Sequence, residues 1–185
     1  MKIETMAQIS IFAVLTAVGA KLMIPLPFVP FSLQTLVVML AGLLLGSKKG
    51  AAAMAVYMIM GLIGLPVFTT VNGPADVLVP SFGYIVGFIL NAWASGRICE
   101  SYRAKYKNLS RTQYFTAAIA GVMLCYLCGI VYLYAALNIW VSSGGATFFK
   151  VLSIGLFSTI GADFIKAFAA AIIAYRLEKS GVFRD

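Results

Sequence analysis

Apolar residues run through the chain in long blocks broken at short polar or proline-rich points, and those breaks predict six membrane-spanning helices. The first block extends from about Met6 to Ile24 and stops at PLPFVP, whose three prolines cannot continue a helix. The second covers Phe31 to Gly46 and ends at Ser47-Lys48-Lys49, and the third covers Gly50 to Leu65. An irregular connection from Pro66 to Pro80 leads to a fourth block, Ser81 to Cys99. After a basic loop holding Arg103, Lys105, Lys107 and Arg111 come a fifth, Tyr114 to Val141, and a sixth, Lys150 to Tyr175. At about 1.5 Å of rise per residue the sixth is long enough to cross a bilayer.

Between Val151 and Tyr175 this last block carries two charges, Asp163 and Lys166, three residues apart. An ionised side chain at the middle of a membrane helix costs roughly 2.5–3.5 kcal/mol on insertion scales, so its default reading is a ligand site. Thr159, Asp163, Lys166 and Ala170 share one helix face at spacings of three and four. A buried ion pair that only locks helices together is the bland alternative, weakened because desolvation offsets most of its attraction.

Composition supports the membrane reading. Of 185 residues 62% are hydrophobic and 11% charged, with mean hydropathy +0.97. A soluble domain of this length carries about 25% charge. The expectation is an all-α bundle and a single membrane-embedded domain over residues 1–185, with no cleavable signal peptide. The net charge of +8 invites a nucleic-acid partner, but its distribution argues for none. An inside amino terminus places 11 of the 14 basic residues on the cytoplasmic side: Lys2, Lys48, Lys49, Arg97, Arg103, Lys105, Lys107, Arg111, Arg176, Lys179 and Arg184. Lys21 and Lys150 then lie near the outer face. The positive-inside rule therefore predicts both termini in the cytoplasm and a multi-pass protein of the cell membrane.

Further polar groups sit where they can join the pair. The fourth block presents Ser81, Tyr84, Phe88, Asn91 and Ser95 as a stripe, beside a Gly83–Gly87 GxxxG that permits close helix approach. Asn91 in a span is costly unless it faces the interior. FSLQT opens the second block with Gln34 and Thr35 in its first turn; Ser32 and Thr35 are equally readable as helix caps. The loops Pro25–Pro30 and Pro66–Pro80 read as lids or as rigid connectors, the second with Asn72, Gly73 and Asp76 as a polar turn. Ala13 and Ala17 form an AxxxA suited either to internal packing or to docking a partner.

Absences narrow the chemistry. The sequence has no histidine, no GxxxxGK[ST] loop and no nucleophile–base pair, so neither ATP hydrolysis nor catalysis is expected. Cys125 and Cys128 form a CxxC inside an apolar helix, which reads as packing rather than redox or metal chemistry. No metal and no cofactor are expected. Binding is the activity best supported.

Four stretches together resemble the BioY family, the biotin-binding S components of energy-coupling-factor (ECF) transporters. They are AVLTAVGAKLMIPLPFVPFSLQTLVVMLAGLLLG from Ala13 to Gly46, GLIGLPVF from Gly61 to Phe68, GYIVGF from Gly83 to Phe88 and ADFIKA from Ala162 to Ala167. The resemblance covers nearly the whole chain and is weakest in the basic loop and fifth helix. It implies a six-helix subunit that captures biotin outside the cell and works with a transmembrane coupling subunit and two cytoplasmic ATPases. It also implies that Asp163 and Lys166 contact the ligand and that Ala13 and Ala17 dock the coupling subunit. The chain departs from the family pattern at Asn91, where a small apolar residue is expected, and at Ser81-Phe82, where Thr-Gly is more usual.

Biotin suits these residues chemically. Its ureido ring offers two N–H donors and a carbonyl, and its tail ends in a carboxylate. Asp163 is a candidate acceptor for the N–H groups and Lys166 a candidate donor to the carbonyl or carboxylate. Tyr84, Phe31 and Phe82 are candidate apolar walls. Asn72, Gln34 and Asn91 are further polar candidates. The alternatives are an S component for another vitamin such as thiamin, and a self-sufficient carrier.

Overall fold

The computed structural model describes residues 2–24, 31–69, 72–106, 108–141, 146–157 and 159–180. It is nearly all helical, and each break has a local cause. Helix α1, Ile3–Lys21, ends before the prolines. A two-stranded antiparallel ribbon then pairs β1, Met23–Ile24, with β2, Phe31–Ser32, the one departure from an all-α fold among the described residues. The expected lid at Pro25–Pro30 lies outside the described residues.

The second and third blocks meet in α2, Gln34–Leu62, which breaks at Gly46 with φ 82 and ψ 178. Only glycine adopts that conformation readily. The break creates a helix end and a helix start inside the bundle, and α3, Phe82–Arg103, supplies a charge to each. Glu100 accepts from the backbone N–H of Ser47 at 2.7 Å, while Arg103 donates to the Leu43 carbonyl at 3.2 Å. An anion at a helix start and a cation at a helix end are both favourable to the backbone dipoles.

Helix α4, Arg111–Ile139, starts three residues earlier than the apolar pattern predicts, because Ser110 and Gln113 form a reciprocal capping box. The sixth block is the least regular. A short α5, Phe148–Leu152, passes into a π-helical turn, Ser153–Phe157, before α6, Ile160–Lys179. Among the described residues, four segments are long and apolar enough to cross a membrane: α1, α2, α4 and the run from Phe148 to Lys179.

Small residues let the helices approach. Ala13, Ala41, Ala53, Ala92, Ala117, Ala167, Ala170 and Ala174 have no exposed surface, as expected where association depends on close packing rather than water exclusion. The Gly83–Gly87 pair lies against Tyr132 and Cys125 of α4, joining α3 to α4 as its spacing suggests. Large apolar side chains such as Leu15, Val18, Leu127, Ile165 and Phe168 point outward, the arrangement lipid favours.

The two expected docking residues differ in exposure. Ala13 is 0% exposed and Ala17 is half-buried against the core. Their helix lies on α2, with Thr16 close to the Met54 sulfur at 3.8 Å. In this conformation Ala13 belongs to internal packing, because its missing side-chain bulk is what admits the neighbouring helix.

Candidate ligand-binding site

A cavity opens between the first turn of α2, the start of α3, the middle of α4 and the first turns of α6. It holds about 700 Å³ of empty space, its mouth included. Asp163 and Lys166 line it, only 5% and 7% exposed, and are joined by a 2.7 Å ion pair. Their spacing on α6 places both on the face that meets α2 and α4.

The pair sits in a dense polar shell. Lys166 Nζ donates to Asp163 Oδ1, to the Ser32 carbonyl at 2.6 Å and to Thr35 Oγ1 at 2.9 Å. Those three bonds use all the protons of an ammonium. The same ammonium stands 4.0 Å from the Phe31 ring centroid, a cation–π contact. Asp163 Oδ1 also accepts from Thr35 at 2.9 Å, and Oδ2 accepts from Tyr126 at 2.7 Å. Tyr126 in turn contacts the Thr159 hydroxyl at 2.9 Å. A carboxylate offers about four acceptor positions, so Asp163 keeps capacity for a donor from a ligand while Lys166 is saturated.

The walls are aromatic and aliphatic: Phe31, Tyr84, Ile85, Phe88 and Val122. Tyr84 lies over Gly129, where a Cβ would come within 2.3 Å of its ring, and its hydroxyl donates to the Gly155 carbonyl at 2.9 Å. The π-helical turn thus offers Tyr84 a backbone acceptor, consistent with the frequency of such turns at functional sites. Gln34 lines the cavity while donating to the Tyr57 hydroxyl at 2.6 Å.

Asp163, Lys166, Tyr84, Gln34 and Phe31 therefore converge on one cavity, and three other expected contacts do not. Asn72 turns its side chain to the loop backbone, accepting from the Phe68 N–H at 2.9 Å. Phe82 packs its ring against Tyr132 with centroids 6.0 Å apart. Asn91 is fully buried where α3 meets Gly121 of α4, with neither amide atom hydrogen-bonded. Helical spacing places Asn91 on the stripe with Tyr84 and Phe88, but about two turns of α3 separate it from Tyr84 and it falls outside the cavity lining.

Tyr126, Thr159, Thr35, Ser32 and Asp76 line the cavity in addition to the expected ligand contacts. Thr159 lies on the same side as Asp163 and Lys166, as its spacing predicts. Tyr126 had one available signal, a phenol within an apolar span, which needs a polar partner when buried.

These features define a membrane-embedded helical protein with a buried ion pair lining an aromatic-walled cavity. A family model described as the BioY family matches residues 1–182, and the chain belongs to that family. It is 42% identical over 98% of its length to a probable biotin transporter BioY of Lysinibacillus sphaericus, covering 89% of that protein. It is 39% identical over 94% of its length to the biotin transporter BioY of Thermotoga maritima, covering 95% of it. Among solved structures it is similar to the S-component for biotin from an ECF-type ABC transporter, with TM-score 0.81, 26% identity and coverage of 98% and 96% of the two chains. The chain is a transporter component, not an enzyme.

Proposed function

We propose that this protein captures biotin at the outer face of the cell membrane as the S component of an ATP-driven ECF transporter. The observation that carries the reading is the Asp163–Lys166 pair lining an aromatic-walled cavity of a BioY-family chain. The break at Gly46 supports a count of six spans, since it divides α2 into two helices. The basic residues at one end support cytoplasmic termini. With no nucleotide loop of its own, the chain takes its drive from a transmembrane coupling subunit and two cytoplasmic ATPases.

In this reading the spare acceptor capacity of Asp163 takes a ureido N–H, a charge-assisted bond in a site shielded from water. Lys166 reaches the ligand only by exchanging one of its present partners, so its first role is to hold Asp163 in orientation. Phe31, Tyr84 and Phe88 cover the thiophane ring and the alkyl tail.

Calorimetry on the purified chain tests this directly. Biotin binds, and Asp163→Asn and Lys166→Ala each weaken it at least tenfold, about 1.4 kcal/mol or more. Unchanged affinity in both variants rejects the site. A thermal-shift panel of vitamins in which thiamin rather than biotin stabilises the chain rejects the substrate.

A further inference from the structure

A chain of hydrogen bonds starts at the ion pair and ends outside the cavity. Lys166 donates to the Ser32 carbonyl at 2.6 Å, and the Ser32 hydroxyl donates to Gln34 Oε1 at 2.9 Å. Gln34 Nε2 donates to the Tyr57 hydroxyl at 2.6 Å, and that hydroxyl donates to the Val67 carbonyl at 3.2 Å. Ser32 and Gln34 line the cavity, whereas Tyr57, on the second half of α2, has no exposed surface and lies outside the lining. Val67 and Phe68 are buried as well, in the stretch that follows α2.

Tyr57 also seats that stretch. Its ring meets Phe68 edge-on, with centroids 5.4 Å apart, and Phe68 fills the space over Gly61, where a Cβ would come within 2.0 Å of the ring. From α1, Lys21 donates to the Phe68 carbonyl at 2.9 Å. The protons along the chain admit one arrangement. A phenol has a single proton and Val67 takes it, so toward Gln34 the hydroxyl can only accept. Gln34 must then turn its amino group to Tyr57 and its carbonyl to Ser32. The orientation of a cavity-lining amide is thus set by a residue behind the wall.

We propose that Tyr57 is a positioning residue: through Gln34 and Ser32 it fixes the Lys166 side of the ligand site, and through Val67 it ties the seating of residues 65–68 to that site. Ligand capture and ordering of the stretch are then one coupled equilibrium, in which each favours the other by the same factor. A phenol buried only to fill space needs some partner, but not one in the cavity wall and another in the loop. The inference rests on the biotin reading above and adds to it a residue that touches no ligand.

The test reads both ends of the chain of bonds. Biotin is titrated into the purified wild-type protein, Tyr57→Phe, Gln34→Ala and the double variant. Tyr57→Phe keeps the ring and is expected to weaken biotin about three- to tenfold, the range for one neutral hydrogen bond. Because Tyr57 acts through Gln34, the double variant is expected to bind no more weakly than Gln34→Ala alone. Hydrogen exchange at the Leu65, Val67 and Phe68 amides, with and without saturating biotin, supplies the second readout. Biotin slows it in the wild type, and that slowing shrinks about threefold or more in Tyr57→Phe. Losses that add fully in the double variant, biotin affinity within about twofold of wild type in Tyr57→Phe, or equal slowing of exchange in both proteins each overturn the proposal. Where the variant folds poorly the wild-type exchange decides alone, since no slowing by biotin at those amides overturns it too. A wild-type chain that binds no biotin rejects the substrate instead, leaving the two failures distinct.

Discussion

Tyr126 shows how much of the site depends on a residue that carries no charge. Its hydroxyl donates to Asp163 Oδ2 at 2.7 Å and is itself backed by Thr159. Tyr126→Phe removes this donor and leaves the ring in place, so the carboxylate loses orientation and one of its three partners. A hydrogen bond to a charged group contributes about 1.5–3 kcal/mol, so calorimetry is expected to show biotin affinity lowered ten- to a hundredfold. Asn91 is the contrasting case. Its amide is buried with no partner, and it lies outside the cavity lining. Asn91→Ala removes an unsatisfied group while opening a small void, so the two effects oppose each other and stability shifts by about 1 kcal/mol at most. Biotin affinity stays within twofold of wild type. A tenfold loss in that titration returns Asn91 to the site. The difference between these residues explains what was legible in the sequence. Asp163 and Lys166 announced themselves because charge in an apolar run is costly wherever it points. Asn91, Phe82 and Asn72 required knowing how far down a helix, or which way around a loop, each side chain faces, and spacing alone does not contain that.

At the level of elements, helix boundaries were readable where a single residue forbids continuation. The prolines after α1 and the Gly46 break fall where the pattern changes. The interruption between α5 and α6 left no such mark, because the run from Val151 to Ala162 is apolar throughout apart from hydroxyls and glycines. There the backbone departs from the α-helix where a distant Tyr84 hydroxyl meets the Gly155 carbonyl, a tertiary cause that a local pattern cannot express. The Gly46 break makes its own prediction. Gly46→Ala forces a side chain into a glycine-only conformation, costing about 1–3 kcal/mol. Glu100→Gln keeps the shape but removes the anion at the new helix start, costing about 0.3–1 kcal/mol. Both variants are expected to lower the melting temperature in detergent, the first by more. A glycine variant as stable as wild type shows that the two halves of α2 tolerate a continuous helix.

For the whole molecule, the question is which surface remains for a partner once the bundle has packed. Ala13 has no exposed surface, whereas Val14 on the same helix is 52% exposed. A Trp at each position therefore separates folding from docking. Ala13→Trp inserts an indole into a close helix–helix contact, and overpacking of that kind costs about 1–3 kcal/mol or more. It is expected to depress the melting temperature and biotin affinity together, with or without the coupling subunit. Val14→Trp adds its bulk outside the bundle, so biotin titrates normally in the isolated subunit. Co-purification with the coupling subunit and ATPases then reports on docking alone: its loss in Val14→Trp locates the contact on the outward face of α1. Normal assembly of that variant moves the contact to another face. If Ala13→Trp instead binds biotin with wild-type affinity and fails only to assemble, Ala13 faces the partner in the docking conformation, and α1 must rotate or shift on α2 to present it.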